Sequence, residues 1–232
     1  MKIKLLVAAA ATVVASSAMA QSAFEGFYGQ VGTGYENNKV SNSTGTITTT
    51  NATYNNVAFN GASASNMPIV VGLGYNYQAT KEFLIGLGVD YSVLTTSQFN
   101  SSYNATSSTQ TGYKVSDRYS IYITPGYVID KDKLAYFKAG YSNQKLTWYD
   151  NVSTDSTNGQ QIASGNASGY VVGLGYKQMI TSGLYGFGEA NYYSYSNPSW
   201  SYQRLSDGTK GSNVTGATSS AYQFLVGVGY KF

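Results

Sequence analysis

Neither cysteine nor histidine occurs anywhere in these 232 residues. Without cysteine there is no disulfide framework, thiolate nucleophile, zinc–thiolate site or iron–sulfur cluster. Without histidine there is no Ser-His-Asp triad, histidine-ligated haem or zinc hydrolase of the usual kind. Charge is also scarce: Asp, Glu, Lys and Arg make up 11% of the chain, too little for a solvated disordered polymer. With Lys2 and Lys4 set aside, acids and bases nearly balance, which leaves no basic surplus for phosphates, so nucleic acid is not an expected partner. No stretch beyond the first 20 residues has the continuous apolar length of a spanning helix, so any membrane crossing must be made by a closed sheet. What the chain does have is 26 glycines and 23 tyrosines, and its 15% aromatic content requires an ordered scaffold.

Residues 1–20 combine a basic start (Lys2, Lys4), an apolar run from Leu5 to Ala15 and the small-residue site Ala18-Met19-Ala20. That pattern reads as a secretory leader, with the mature chain starting at Gln21. A membrane anchor would need a longer run, and this one is followed by Ser16 and Ser17.

From Gln21 onward one device recurs. Tyr222, Phe224, Val226, Val228, Tyr230 and Phe232 alternate with Gln223, Leu225, Gly227, Gly229 and Lys231, a period-two strand with one apolar face. The same alternation runs through Ile69 to Tyr77, Phe83 to Ser92, Tyr119 to Tyr127, Tyr136 to Ser142 and Gly169 to Lys177, and Phe27, Val31 and Tyr35 open the series. The segment from Leu184 to Tyr195 is less regular. There Glu189 and Asn191 are placed inside together with Tyr185 and Phe187, and a slip of one residue would reverse the choice. The count is eight strands of about ten residues, the length a tilted strand needs to cross a bilayer.

The links support the same reading. Residues 78–82, 130–133 and 178–183 form short connections, whereas residues 38–66, 95–112, 150–167 and 197–219 are long and rich in Ser, Thr, Asn and Gly. Short turns at one end and long polar loops at the other are the asymmetry of an outer-membrane barrel, with turns periplasmic and loops extracellular. Tyrosine is a good strand residue anywhere, but here it clusters at strand ends: Tyr75, Tyr77, Tyr127 and Tyr176 toward the turns, Tyr35, Tyr91, Tyr119 and Tyr141 toward the loops.

Gly72 to Tyr75, Gly173 to Tyr176 and Gly227 to Tyr230 repeat Gly-x-Gly-Tyr, joined by Pro125-Gly126-Tyr127 and the closing Tyr230-Lys231-Phe232. In this succession the chain resembles the small eight-stranded outer-membrane barrels typified by the OmpA transmembrane domain and its OmpX-like relatives. The resemblance implies an all-β, eight-stranded antiparallel up-and-down transmembrane barrel over residues 21–232. It also implies that Tyr222, Phe224, Val226, Val228, Tyr230 and Phe232 form an assembly signal read by the barrel-assembly machinery. The chain's end at Phe232 is expected to leave no room for the peptidoglycan-binding domain some relatives carry. Some small outer-membrane barrels are lipid A deacylases, phospholipases or proteases, but activities that depend on histidine cannot be carried over.

An eight-stranded barrel has an interior just wide enough for its own side chains. The glycines are therefore expected to keep the inner face small. They are not a dinucleotide fingerprint, since a third glycine and a strand-to-helix transition are both missing. Asp90, Arg118, Lys138, Lys177 and Glu189 fall on inward positions, where an ion must be paired or watered. Counting from the turns puts Lys138 and Glu189 at similar heights, so they are expected to meet across the lumen with Asp90 somewhat higher. This charge group reads as structural rather than as an ion gate.

Asn51-Ala52-Thr53, Asn104-Ala105-Thr106 and Asn213-Val214-Thr215 match a glycosylation pattern that so Asn-rich a set of loops produces by chance. Asp150 and Asp155 read as solvating loop charges. No catalytic, metal or cofactor site is expected. The function that follows is a non-enzymatic barrel anchored in outer-membrane lipid and lipopolysaccharide, with loops meeting an unidentified surface partner. Thr46 to Thr50 and Trp200, Tyr202 and Arg204 are the contact candidates, although Trp200 and Tyr202 also suit a hairpin extended above the membrane. A narrow channel for ions or small solutes is the alternative. A soluble carbohydrate-binding barrel using Trp148 or Trp200 is a third, and it would leave the apolar stripes facing water.

Overall fold

The computed structural model describes residues 22–48, 51–59, 61–94, 97–102, 110–150, 160–196, 202–203, 210–215 and 218–232. The leader, Asn104, Asp155, Trp200 and Arg204 lie outside them.

Eight strands form the barrel: β1 (Gly26–Val40), β2 (Ile69–Gln78), β3 (Phe83–Ser92), β4 (Gln110–Asp130), β5 (Lys133–Asp150), β6 (Gln160–Met179), β7 (Leu184–Tyr195) and β8 (Ser219–Lys231). Each is antiparallel to its chain neighbour. The sheet closes where β1 pairs with β8 in register from Tyr28↔Lys231 to Val40↔Ser219.

Alternation decides which face looks where. Along β3 the ten residues switch without exception between exposed and buried, beginning with exposed Phe83 and ending with buried Ser92. The outward set is strongly apolar: Leu73, Leu174 and Val226 are each more than 60% exposed on the barrel's outside. Such stripes running round the whole wall are far beyond what a water-solvated monomer carries. The inward set is packed by pairing rings with glycines. A Cβ on Gly88 would overlap the Tyr122 ring and one on Gly175 the Tyr136 ring, so each glycine is the hole that a large side chain fills.

The three short turns lie at one end. The Ala79 and Thr80 amides donate to the Phe83 carbonyl, the Lys131 amide to the Asp130 carboxylate, and Gly183 takes a left-handed φ of 85°. Here the aromatics pair on the outer wall, Phe27 with Tyr75 at 4.8 Å, Phe83 with Tyr127 at 5.3 Å and Tyr230 with Phe232 at 5.4 Å between ring centres. Toward the other end Tyr192 and Tyr222 pair at 5.0 Å and Tyr119 and Tyr141 at 6.4 Å.

Two expectations need correction. The strands are not uniformly about ten residues: β4, β5 and β6 run for 21, 18 and 20, well past the tyrosines at the far end. The long links are not simple polar loops either. They contain the strands Ser43–Thr48, Thr53–Phe59, Ala62–Asn66, Ser97–Ser102, Tyr202–Gln203 and Lys210–Thr215. Ala62–Asn66 pairs with the upper part of β1, Ser97–Ser102 with the upper part of β4, and the other four build a separate sheet.

The reason strict alternation misses the extension is a bulge on β4. The pairing with β5 shifts between Ser116 and Tyr119, and Asp117 between them has a φ of 51°. Below the bulge Arg118, Ser120 and Tyr122 point inward; above it Tyr113 and Val115 do, on the opposite parity. Overpacking a filled site typically costs about 1–3 kcal/mol. Gly175→Val is therefore expected to destabilise the barrel by about that much, read as a lower urea midpoint for unfolding from lipid vesicles.

Candidate functional site

The described interior holds six buried charges: Glu36, Asp90 and Glu189 against Arg118, Lys138 and Lys177. Among the described residues acids and bases are equal in number, and they fall into three layers.

In the middle layer β5 directs Lys138 inward beside Tyr136. Its ammonium donates to Asp90 Oδ2 from β3 at 2.7 Å and to Glu189 Oε1 from β7 at 2.9 Å, and lies 4.1 Å from the Tyr122 ring centre. The Tyr136 hydroxyl donates to Glu189 Oε2 at 2.7 Å and Asn191 Nδ2 donates to Oε1 at 2.7 Å, so both oxygens of that carboxylate are occupied.

The layer further from the short turns centres on Arg118. Its guanidinium forms an ion pair with Glu36 of β1 and donates to Asn38 Oδ1 at 2.7 Å and to Gln144 Oε1 at 3.0 and 3.2 Å. It lies 4.7 Å from the Tyr193 ring centre. Glu36 also accepts from Gln223 Nε2 at 2.6 Å and Asn38 Nδ2 at 2.7 Å. Gln223 Oε1 accepts from Asn191 Nδ2 at 3.2 Å, which ties this layer to the middle one.

Nearest the short turns, Lys177 sits among tyrosine rings instead of carboxylates. Its ammonium is 3.9 Å from the Tyr28 ring centre, 4.8 Å from Tyr185 and 5.4 Å from Tyr136, with no ion pair among the described residues. A desolvated cation–π contact contributes about 2 kcal/mol, and burying an ammonium costs several. The balance comes from the layer above, where two carboxylates share one ammonium. Gly175 pairs with Glu189 and Lys177 with Phe187, so Lys177 and Glu189 are diagonal neighbours on one inner face.

Below this cage an apolar plug closes the short-turn end. Phe24, which enters from the segment ahead of β1, packs there with Leu84 and Leu134, and the same apolar cluster continues upward through Phe187, level with Lys177, and Leu225, level with Glu189. That segment is pinned by the Ser22 amide donating to Gln78 Oε1 at 2.7 Å and by Asn76 Nδ2 donating to the Phe24 carbonyl at 2.8 Å. Above the Arg118 layer, Val40, Tyr113, Val115 and Leu146 are buried inside the extended wall.

Of the five charges singled out in the sequence, Asp90, Lys138 and Glu189 come into direct contact, Arg118 belongs to a separate cluster, and Lys177 is caged by rings. Sequence reasoning missed Glu36, Asn38, Gln144 and Tyr193. Continuing the even parity of Tyr28 and Gln30 beyond Tyr35 would have placed Glu36 and Asn38 inside. Phe24 had no signal, since it precedes the first alternating residue. Tyr222, Phe224, Val226, Val228 and Tyr230 face outward on β8, and Phe232, exposed just past its end, donates its amide to the Phe27 carbonyl at 2.9 Å.

A closed antiparallel barrel with an apolar outside, aromatic ends and a polar interior defines the class of outer-membrane β-barrels. The family model for the outer membrane protein beta-barrel domain matches residues 6–232, and the chain belongs to that family. Among curated proteins none matches it in sequence. Among solved structures it is similar to the outer membrane protease OmpT from Escherichia coli, with 12% identity, a TM-score of 0.51 and coverage of 94% of this chain and 100% of that one. It is also similar to the outer membrane protein OprG from Pseudomonas aeruginosa, with 12% identity, a TM-score of 0.50 and coverage of 90% and 96%. Ail, the attachment invasion locus protein of Yersinia pestis, follows at 14% identity, a TM-score of 0.41 and coverage of 90% and 99%. At these identities the likeness is one of fold.

Removing one partner of a buried ion pair typically costs about 3–5 kcal/mol. Lys138→Met is expected to lose about that much stability, and Lys138→Met with Asp90→Asn to recover more than half, because Glu189 then balances Lys177. Urea unfolding of the variants in vesicles measures both.

Proposed function

We propose that this protein is a non-enzymatic outer-membrane anchor. The leader is removed after Ala20, the C-terminal stripe from Tyr222 to Phe232 is read by the barrel-assembly machinery, and the long-link end faces outward. The barrel then displays the sheet of Ser43–Thr48, Thr53–Phe59, Tyr202–Gln203 and Lys210–Thr215 to the surroundings. The single observation that carries the reading is the filled lumen. The described charges pair or stack within it, and apolar side chains close it on both sides. An ion would have to displace Phe24 and its cluster, pass the Lys177 cage and break the Lys138 pairs, each step carrying a desolvation cost.

The protease among the similar folds bears on fold only at 12% identity. The described interior of this chain brings carboxylates to a lysine, not to a nucleophile.

In planar bilayers the purified protein is expected to give no stable conductance steps; steps altered by Lys138→Met would favour the narrow channel instead. On intact cells an epitope tag inserted between residues 150 and 160 is expected to be accessible to antibody, and one in the turn at Thr80 only after the outer membrane is permeabilised. The reverse pattern would overturn the orientation.

A further inference from the structure

Two of the short turns, the segment ahead of β1 and the end of β8 surround a cavity of about 550 Å³ at the short-turn end of the barrel. It is lined by Ala23, by Asp132 from the turn between β4 and β5, by residues 179–183 between β6 and β7, and by residues 230–232. Backbone bonds fix these parts to one another: the Met179 amide donates to the Asp132 carbonyl and the Lys231 amide to the Gly183 carbonyl, each at 2.8 Å. Met179 also packs against the apolar plug, so the plug backs the cavity.

Two opposite charges line this cavity and neither is neutralised. Asp132 and Lys231 form no ion pair among the described residues, whereas Lys133 and Asp130 in the same turn as Asp132 do, at 3.7 Å. Lys231 has the inward parity of Gln223 and Leu225, so its stem enters the barrel mouth past Gly26, where a Cβ would come within 3.2 Å of Lys231 Cε. The turn bonded to Lys231 adds the Thr181 and Ser182 hydroxyls as hydrogen-bonding groups and Ile180, 60% exposed, as an apolar surface. A single ion would meet one like charge here. A ligand that carries both signs meets two opposite ones, provided its charges are far enough apart. The cavity volume is within the range of small-ligand sites and equals that of a sphere roughly 10 Å wide. Two or three extended residues span about 7–10 Å.

We propose that this cavity binds a peptide of two or three residues with both ends free, its carboxylate at Lys231 and the Ser182 turn and its ammonium at Asp132. That such a peptide arrives from the periplasm rests on the orientation proposed above, whereas the match of charges does not.

The test uses mature protein in nanodiscs, which leave both ends of the barrel open to solvent, with trialanine as the probe. Titration calorimetry measures affinity and amide NMR shifts locate the bound peptide. Trialanine is expected to bind saturably and to shift the amides of Asp132, Thr181 and Ser182. N-acetyl-trialanine and trialanine amide each lack one charge and are expected to bind about tenfold more weakly. Asp132→Asn and Lys231→Gln are expected to weaken trialanine by a similar factor. Each end is assigned by the combination: Lys231→Gln costs nothing further with the amidated peptide, and Asp132→Asn nothing further with the acetylated one. Lys131→Gln, beside the cavity but outside its lining, is expected to bind as the wild type does. A heat-dependent gel shift shows that each variant is folded, and the capped peptides give their answer on the wild type alone. No saturable binding of trialanine, equal affinity for single alanine or for the peptide capped at both ends, or shifts confined to the long-link end would overturn the proposal. Failure of the orientation would appear separately, in the epitope-tag experiment on cells, because binding in nanodiscs does not depend on which way the barrel is inserted.

Discussion

The hydrogen-bonded seam between β1 and β8 is the constraint on which the rest depends. A sheet with two free edges would leave a row of peptide groups without partners, and hydrocarbon offers none. Pairing from Tyr28↔Lys231 to Val40↔Ser219 removes both edges and turns a meander into a cylinder. Once closed, the wall has only two faces, so every residue is sent to lipid or to lumen by its parity. The apolar stripes and the polar interior are two consequences of one closure.

Closure also explains why the interior looks as it does. Eight strands enclose too little space for both a passage and side chains. Tyrosines and phenylalanines fill it where glycines face them, and long charged side chains take the remainder. Three acids and three bases can be held there because none is left without compensation: Arg118 with Glu36, Lys138 with two carboxylates, and Lys177 under the field of the doubly acidic layer with ring faces around it. Hydrogen bonds from Tyr136, Asn191 and Gln223 lock the carboxylates, so exchange of partners means breaking several contacts at once.

How far the sequence could be read depended on local regularity. Phe83 to Ser92 alternates perfectly, and parity alone gave its faces; the same holds for β2 and β8. On β7 the irregular Tyr185 and Phe187 are inside, where Gly32, Gly227 and Gly229 leave room for their rings, so the strand breaks the polar-in rule without changing register. The far extension was illegible for a physical reason: Asp117 inserts one residue, and the inward parity of β4 changes at that point. The Ser- and Thr-rich links hid strands because their composition fits both turns and paired edges, and partners far along the chain decide between them. For the charge network, parity supplied Lys138, Asp90 and Glu189. Glu36 lies just past Tyr35, the last apolar residue of the first alternating series, so no outward partner marks its parity, and Phe24 is a plug only because the barrel mouth exists to receive it.

Collision accessibility of nitroxide labels at Val71, Leu87 and Val226, in protein reconstituted into lipid vesicles, tests lipid contact of the outer face most directly. Oxygen, which concentrates in hydrocarbon, should relax all three labels more strongly than a water-soluble nickel chelate does. Nickel accessibility equal to that of a label in solvent at the three outward sites would contradict a membrane-spanning barrel.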